Sequence, residues 1–565
     1  MRRIVESAFA ITVALLIALT LTATFAEQAR AQLWQRYANY TSPFLAPLPS
    51  GTSRQPLAQR MVVVLARGLR LVESRQMPAL NAWRARGADI IVESRPPTYR
   101  LATTLTWLSG AWPETHGVTT NSTILLPQSD TILRALQASG KATAFVGSDP
   151  LSDLLGATLQ RIELVDDLEP AQRDQQAVEL ALAVLNDSAR PVQFLLVELR
   201  LLEEVARSDP ESYRAALAAT DFRIEAIASA LNPSADAFVV LSDRGLTYDG
   251  RDGGGEVEVT RTPLVLAGAG VSPGTQAIAP ATAIAPTLAA LAGAPIPTHA
   301  QGGPILATLL PKPTLPMASA QQLTAFYEQW SAVMGQPRFA SELLRRYEDQ
   351  LAAGDAASYT AWLAELNRSV SAAIASRLNA ERAARLPFTV GISLLLLVIT
   401  GLILNVHVVR PLAGVLVYIA AWSALFFVVR GNSFSLSLFP DGDPVAIFGE
   451  WERISGALMG LIGLAIAFTT GACEDVFEAI AAALSTLGLI AIVQLLAFIW
   501  FYWQWGDMFT WTLPESSAFT AALLALTQLA GLNVQATPDL PALPLAPLVA
   551  IATAVIYAFV RRPSV

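Results

Sequence analysis

Long apolar runs are concentrated at the two ends of the chain, and a stretch of mixed apolar and polar residues lies between them. The first run covers residues 8–26, and six more follow residue 386, at 387–406, 412–429, 454–470, 477–503, 516–532 and 543–560. A helix rises about 1.5 Å per residue, so about 20 apolar residues cross a hydrocarbon core about 30 Å thick. The pattern therefore predicts an N-terminal membrane helix over residues 1–31 and a membrane domain of five or six helices over residues 386–565.

Between these ends, short continuous apolar runs alternate with helix-like stretches. The runs lie at 61–65, 142–146, 192–197, 237–241 and 262–266, and the helix-like stretches at 132–138, 171–185, 212–231 and 281–291. A continuous apolar, β-branched run is typical of a strand buried on both faces of a parallel sheet. The alternation predicts an α/β domain over residues 60–315, with a doubly wound, mostly parallel sheet.

Two connecting regions complete the predicted organisation. Residues 32–59 are rich in Pro, Ser and Gly over their second half, which favours a linker. Residues 316–385 contain many helix formers and no strand pattern, and we expect a helical juxtamembrane stalk there.

Composition supports a membrane location and argues against nucleic acid as a partner. The chain is 53% hydrophobic and 15% charged, with a mean hydropathy of +0.44, which is too apolar for an ordinary soluble protein. Its net charge is -8, and its basic residues form no long run, so no electrostatic footprint for nucleic acid is present. Cys473 is the only cysteine, which excludes disulfides and cysteine-based metal sites within one chain.

The charges flanking the apolar runs indicate how the chain is oriented in the cytoplasmic membrane. Arg2 and Arg3 before the first run favour a signal anchor, although the small-x-small motif at 29–31 leaves a cleaved signal peptide open. With these arginines and Arg410 inside, and an acidic loop at 441–443 outside, the α/β domain is extracytoplasmic. If all six later segments cross the membrane, the basic pair at 561–562 lies outside, against the preference for basic residues on the cytoplasmic side. Either one segment, 516–532 or 454–470, does not fully cross, or the charge bias is weak in this chain.

Several sequence blocks in the central region occur in a recognisable order. They are Ala-Arg-Gly at 66–68, Pro-Thr-Tyr-Arg-Leu-Ala at 97–102, Leu-Ser-Gly-Ala-Trp-Pro-Glu-Thr-His-Gly-Val at 108–118, Tyr-Arg-Ala-Ala-Leu at 213–217, Ser-Asp-Arg-Gly at 242–245 and Ala-Pro-Thr-Leu at 285–288. Together these blocks resemble the type I phosphodiesterase/nucleotide pyrophosphatase branch of the alkaline-phosphatase superfamily. The resemblance covers about residues 60–310 and leaves out the membrane segments.

The resemblance implies a reaction that this chain lacks the residues to perform. Family members use two zinc ions, held by Asp and His, and a Ser or Thr nucleophile. The positions that match the metal ligands and the nucleophile are occupied by Arg67, Arg100, Arg200, Glu204, Asp243, Arg244 and Asp252. Arg100 stands at the nucleophile position, Arg200 and Glu204 match the Asp-x-x-Gly-His motif to within a residue or two, and Asp243 alone is an unchanged ligand.

The histidine count agrees with a lost metal site. The chain has three histidines, His116, His299 and His407, and none stands in a metal motif. We expect His116 to hydrogen-bond within its own turn and His407 to be interfacial. The sequence accordingly predicts no metal and no cofactor.

Three interpretations of the arginines remain open. In the first, an ion-pair cluster with Asp243, Asp252 and Glu204 plugs the abandoned site. In the second, three arginines bind an anion such as phosphate or a lipid headgroup; they are Arg67, Arg100 and Arg244. In the third, the chain is an active enzyme with a rearranged site whose nucleophile is Thr98, Thr103 or Thr104.

These interpretations lead to different functions. The first two predict a non-catalytic binding or assembly subunit that contacts the lipid bilayer and protein partners in an envelope complex. The alternative is an active phosphodiesterase or phosphotransferase acting on envelope lipids or nucleotides. Transport is a third class, but we expect the spans to lack the intramembrane Asp, Glu, Lys or Arg that usually mark an ion path.

Overall fold

The computed structural model describes residues 2–46, 48, 51–121, 129–155, 158–165, 168–310, 314–404, 409–471 and 476–533. Four features discussed above lie outside the described residues: His407, Cys473, the apolar segment 543–560 and the basic pair 561–562.

The central domain is built on one eight-stranded sheet. Its strands are β1 (Arg60–Ala66), β2 (Ala88–Glu93), β3 (Thr143–Gly147), β4 (Arg161–Leu164), β5 (Phe194–Leu199), β6 (Asp236–Leu241), β7 (Arg261–Gly268) and β8 (Thr275–Pro280). Their order across the sheet is β4-β3-β5-β1-β6-β7-β2-β8. Only β7 runs antiparallel to its neighbours within the described sheet. The predicted α/β class with a mostly parallel sheet is confirmed.

Helices cover both faces of this sheet. They are α2 (Leu71–Ser74), α3 (Pro78–Arg86), α4 (Arg100–Ser109), α5 (Pro113–His116), α6 (Ile132–Ala138), α7 (Asp149–Leu155), α8 (Pro170–Asn186), α9 (Leu201–Ser208), α10 (Tyr213–Ala228), α11 (Val257–Thr260) and α12 (Ile284–Ala292). Alternate residues of β1 enter opposite cores, because successive side chains of a strand point to opposite faces. Val63 and Leu65 pack with α6 and α12, whereas Val62 and Val64 pack with α8 and α10.

A helical region connects the sheet to the membrane domain. It consists of α13 (Thr314–Val333), α14 (Ala340–Ala352) and α15 (Ala356–Leu404). Buried aromatic residues hold α13 and α15 together, including Tyr327, Trp330 and Trp362. The 49-residue helix α15 continues without interruption from this region into the apolar segment that begins at residue 387.

The membrane domain is formed by helices from both ends of the chain. They are α1 (Arg2–Ala38), α16 (Val409–Ser423), α17 (Val445–Gly471), α18 (Val476–Trp505) and α19 (Ser516–Ala530). Five described helices are long and apolar enough to cross a membrane, over Val13–Ala38, Ala356–Ile403, Val409–Val429, Val445–Thr470 and Glu478–Trp505. These five candidate spans indicate a membrane protein.

Two helices of the membrane domain can be compared with the sequence-based boundaries. Helix α1 extends seven residues beyond the predicted boundary at 31, because Leu33, Trp34 and Tyr37 are buried in the membrane domain. Helix α19 has 15 residues, too few for a full span, and its side chains are almost all buried. Among the described segments, 516–532 is therefore the one whose helix is too short to cross the membrane.

The expectation that the spans lack ionised residues is wrong. Helix α17 begins nine residues before the predicted start at 454, so the span contains Glu450, Glu452 and Arg453. Glu452 forms a 2.9 Å ion pair with Arg30 of α1. These charged residues interrupt the apolar pattern of the sequence. The ion pair between Arg30 and Glu452 nevertheless allows both side chains to be partly buried.

Candidate functional site

The candidate site lies where the three central parallel strands end. Arg67 directly follows β1, Glu198 is the fifth residue of β5, and Asp243 comes two residues after β6. Strands β5 and β6 are the two neighbours of β1, so their carboxyl ends lie side by side. Open α/β sheets bind their ligands at this edge.

Arg67 is buried and surrounded by acceptors. Its Nε donates to Glu198, and its Nη1 donates to Asp243 Oδ2 at 2.7 Å and to Thr104 Oγ1 at 3.2 Å. The second oxygen of Glu198 accepts hydrogen bonds from the backbone N–H and the hydroxyl of Ser148, at 3.0 and 2.5 Å. The guanidinium group of Arg67 therefore joins the ends of β5 and β6.

Arg244 is fully buried and joins Asp243 to two further carboxylates. Its Nε donates to Asp252 Oδ2 at 2.6 Å, its Nη1 to Asp243 Oδ2 at 3.0 Å and its Nη2 to Glu203. Arg207 lies beside the same group, with Nη2 3.0 Å from Asp252 Oδ2. We call the side chains of Arg67, Arg244, Arg207, Glu198, Glu203, Asp243 and Asp252 the arginine–carboxylate cluster.

Mutual charge shifts the pKa values of several side chains in the cluster. Burial alone would lower the pKa values of Arg67 and Arg244, but the neighbouring carboxylates raise both above the ordinary arginine value. Burial would raise the pKa of Glu203, but Arg244, Arg67 and Arg207 lower it to about 2. Asp252 is the exception, because burial outweighs its arginine partners and raises its pKa.

Of the residues predicted from sequence, Arg67, Asp243, Arg244 and Asp252 come together in the cluster. Glu204 does not, because its carboxylate pairs with Arg173 and Arg200 on the outer side of α9. The inward carboxylates of this segment are instead Glu198 and Glu203, which sequence reasoning missed. One signal was available: Glu198 is a lone acidic residue within the otherwise apolar strand β5.

Arg100 lies at the first turn of α4, beside the cluster but outside its ion pairs. It is half-buried, and its Nε has no hydrogen-bond partner among the described residues. Burial, followed by the charge of Arg67, lowers its pKa. Within the described part of the chain, Arg100 is thus a cation with no paired carboxylate.

The threonine and histidine candidates have structural roles in this arrangement. Thr98 donates to the carbonyl of Gly254 at 2.8 Å, and Thr103 and Thr104 lie 3.3 and 3.1 Å from Asp243 Oδ2. His116 Nδ1 accepts from the N–H of Val118 at 3.1 Å, which confirms that it hydrogen-bonds its own turn. Burial lowers the pKa of His116 to about 3.

The donor set does not fit the two zinc ions that the family resemblance implies. The oxygens of Glu198, Asp243 and Asp252 that face the centre of the site accept hydrogen bonds from guanidinium groups. The described residues contain no group of three or more His, Cys, Asp or Glu side chains that could hold a metal. Zinc sites are built mostly from imidazole and thiolate ligands, and neither lies in the cluster.

A loop of the membrane domain is bonded to this edge of the sheet. The loop covers residues 430–444, between α16 and α17. Its Leu436 carbonyl accepts from the Tyr99 hydroxyl at 2.9 Å, its Ser437 hydroxyl accepts from the Gly254 N–H at 2.9 Å, and Asp441 Oδ1 lies 3.0 Å from Arg207 Nη1. Arg207 thus contacts both the cluster and the loop.

Comparisons with known proteins find similar solved structures only at low identity and low TM-score. No protein-family model matches the chain, and no curated protein matches it. One similar solved structure is a protein in the alkaline phosphatase superfamily from Vibrio parahaemolyticus, with 16% identity, a TM-score of 0.37 and coverage of 50% of this chain and 79% of that one. Another is murine ectonucleotide pyrophosphatase/phosphodiesterase 5, with 12% identity, a TM-score of 0.35 and coverage of 41% and 95%.

A third similar structure is a phosphonate monoester hydrolase from Silicibacter pomeroyi, with 14% identity, a TM-score of 0.35 and coverage of 44% and 76%. These structural neighbours are members of the alkaline-phosphatase superfamily. The chain itself combines an α/β domain with candidate membrane-spanning helices at both ends.

Proposed function

We propose that this chain is a membrane-anchored, non-catalytic protein of the alkaline-phosphatase type, whose α/β domain acts as a binding or assembly subunit on the outer side of the cytoplasmic membrane. The observation that carries the proposal is the placement of Arg67 and Arg244 between four buried carboxylates. The guanidinium groups supply the positive charge that metal ions would supply in an active relative.

The chemistry of the nucleophile position also supports a non-catalytic role. Arg100 stands there, and a guanidinium group that is always protonated cannot attack phosphorus. The nearby hydroxyls of Thr103 and Thr104 hydrogen-bond Asp243, which is itself occupied by Arg67 and Arg244. A general base free to activate either hydroxyl is not present among the described neighbours.

The contact with the loop at 430–444 favours assembly over turnover. In an enzyme, the carboxyl edge of the sheet must admit and release a substrate. Here Tyr99, Gly254 and Arg207 at that edge are bonded to the chain's own membrane domain. The edge therefore holds two parts of the protein together.

The proposal is tested with the purified full-length protein in detergent. We expect sub-stoichiometric zinc by elemental analysis, and no hydrolysis of bis(p-nitrophenyl) phosphate above the buffer rate with or without added zinc. Asp243→Asn is the control for contaminating enzymes, since any activity from this site must disappear with it. Stoichiometric zinc together with turnover that Asp243→Asn abolishes would establish the alternative, an active phosphodiesterase or phosphotransferase.

Arg100 favours a second, narrower role in anion binding. The carboxylates of the cluster occupy Arg67 and Arg244, so Arg100 is the candidate that retains free donors for phosphate or a lipid headgroup. If it binds an anion, phosphate should raise the melting temperature of the wild type and leave that of Arg100→Gln unchanged. Equal responses of both proteins would remove this role.

A further inference from the structure

A large cavity lies where the α/β domain, the helical region and the membrane domain meet, away from the arginine–carboxylate cluster. Its volume is about 1180 Å³. Small-molecule sites usually enclose roughly 300–1,000 Å³, so the cavity suits a larger ligand. Its walls include Trp505, the last residue of α18, and Ser516, the first residue of α19. The cavity therefore reaches the ends of two helices of the membrane domain.

One wall is an apolar stripe along α15. Leu363, Val370, Ile374 and Leu378 line the cavity and follow one another at helical spacing on a single face. The same helix continues as a candidate span to Ile403. The stripe thus provides an apolar wall inside the cavity against which an acyl chain can lie.

The rest of the wall is aromatic and acidic. Eight aromatic residues line the cavity, among them Trp112, Tyr327, Trp330, Phe434, Trp505 and Trp511. The ionised side chains are three carboxylates, on Glu114, Glu256 and Glu515, against one guanidinium, on Arg95. Aromatic faces and excess carboxylates both attract an ammonium group, which favours a ligand with a positive headgroup charge.

Arg95 gives the cavity a place for a phosphate. Its Nη2 lies 2.8 Å from Glu114 Oε2, and its guanidinium group stacks 4.5 Å above the ring of Trp112. The side chain remains 46% exposed, so further N–H donors are accessible. A guanidinium beside carboxylates matches a headgroup that carries both a phosphate and an ammonium group.

From these features we infer that the cavity binds one zwitterionic membrane phospholipid, with its chain along the α15 stripe and its ammonium and phosphate groups near Glu114 and Arg95. This inference does not depend on the proposed loss of catalysis, because none of the cluster residues lines the cavity.

The test is native mass spectrometry of the delipidated full-length protein with added phosphatidylethanolamine or phosphatidylglycerol. We expect one bound phosphatidylethanolamine, with phosphatidylglycerol at least about fivefold weaker. Soluble phosphoethanolamine at the same concentration should not bind, since it lacks the chain. Glu114→Gln should reduce the preference for the ammonium lipid.

Filling the cavity provides the matched control. Ser371 and Asn367 are exposed and line the cavity, whereas Ala372 is equally exposed on α15 and does not. Ser371→Trp and Asn367→Trp should each weaken lipid binding by about tenfold, and Ala372→Trp should leave it unchanged. The inference would be overturned if the protein bound both lipids equally, or if all three variants bound lipid equally. It would also be overturned if phosphoethanolamine bound without a chain, or if a peptide co-purified in the cavity.

Discussion

Removing Arg67 tests whether its guanidinium group balances buried carboxylates. Arg67→Met keeps much of the side-chain volume and deletes the bonds to Glu198, Asp243 and Thr104. Breaking a buried pair by removing one partner costs about 3–5 kcal/mol. Glu198 keeps two hydrogen bonds from Ser148, and Asp243 keeps Arg244, so we expect the lower end of that range, about 3 kcal/mol.

The expected loss converts into a measurable change in melting. For a domain of 150–250 residues, 1 kcal/mol shifts the melting temperature by about 2–4 °C, so Arg67→Met should melt roughly 6–12 °C below the wild type. The assay is intrinsic-fluorescence melting of the full-length protein in detergent at neutral pH. Arg345→Met is the matched control, because Arg345 is 71% exposed in its pair with Glu342 and should change stability by less than about 1 kcal/mol.

The pH dependence of this loss identifies its cause. In the wild type, Arg67 helps to lower the pKa of Glu198, so Glu198 stabilises the fold above its unfolded pKa. In Arg67→Met, the largest opposition to burial is lost while that of Ser148 remains, so the pKa of Glu198 should rise. The variant should therefore recover toward the wild type as the pH falls, and Glu198→Gln in the same chain should restore part of the loss. A melting temperature within about 2 °C of the wild type, together with stabilisation by phosphate, would refute the ion-pair interpretation.

Three further predictions concern acid stability, the loop contact and topology. The pKa of Glu203 is lowered to about 2, so ionised Glu203 contributes about 3 kcal/mol to folding stability above its unfolded pKa. This contribution is lost as the pH falls toward 2, and Glu203→Gln should reduce the fall of the melting temperature over that acidic range. Arg207→Ala should make the loop at 430–444 sensitive to protease, and should destabilise the fold more than Asp441→Ala, because Asp441 is 67% exposed while Arg207 also pairs with a buried carboxylate. Ser358→Cys in a Cys473→Ser background should react with a membrane-impermeant maleimide on intact cells, and labelling only after lysis would reverse the proposed orientation.

The strands were predictable to the extent that both of their faces are buried. Strand β1 is apolar and buried along nearly its whole length, and its pattern is visible in the sequence. The edge strands β4 and β8 alternate in burial and are short, so no continuous apolar run marks them. The antiparallel direction of β7 was not predictable, because the hydrophobic pattern of a buried strand is the same in either direction.

The candidate site was predictable where a motif fixes the position of a residue relative to a strand. The Ser-Asp-Arg-Gly block placed Asp243 and Arg244 correctly next to Arg67. The region at the end of β5 has no such motif. The match to Asp-x-x-Gly-His therefore pointed to Glu204 and missed the inward-facing Glu198 and Glu203. The pairing of Glu452 with Arg30 was not predictable, since 422 residues separate the two partners in sequence.

The packing of α1 against α19 constrains the order in which the protein can be completed during biosynthesis. Helix α1 is made before the other described helices, and α19 is the last described α-helix to be made. The two are joined by ring stacking of Tyr37 and Phe519 at 4.5 Å, and Asn533, three residues after α19, donates a 3.3 Å hydrogen bond to the carbonyl of Thr20. Helix α1 therefore remains without its α19 partner until α19 itself has been translated. Insertion of the nascent chain and closure of the bundle are consequently separate events, and the interval between them is set by the length of the intervening domain.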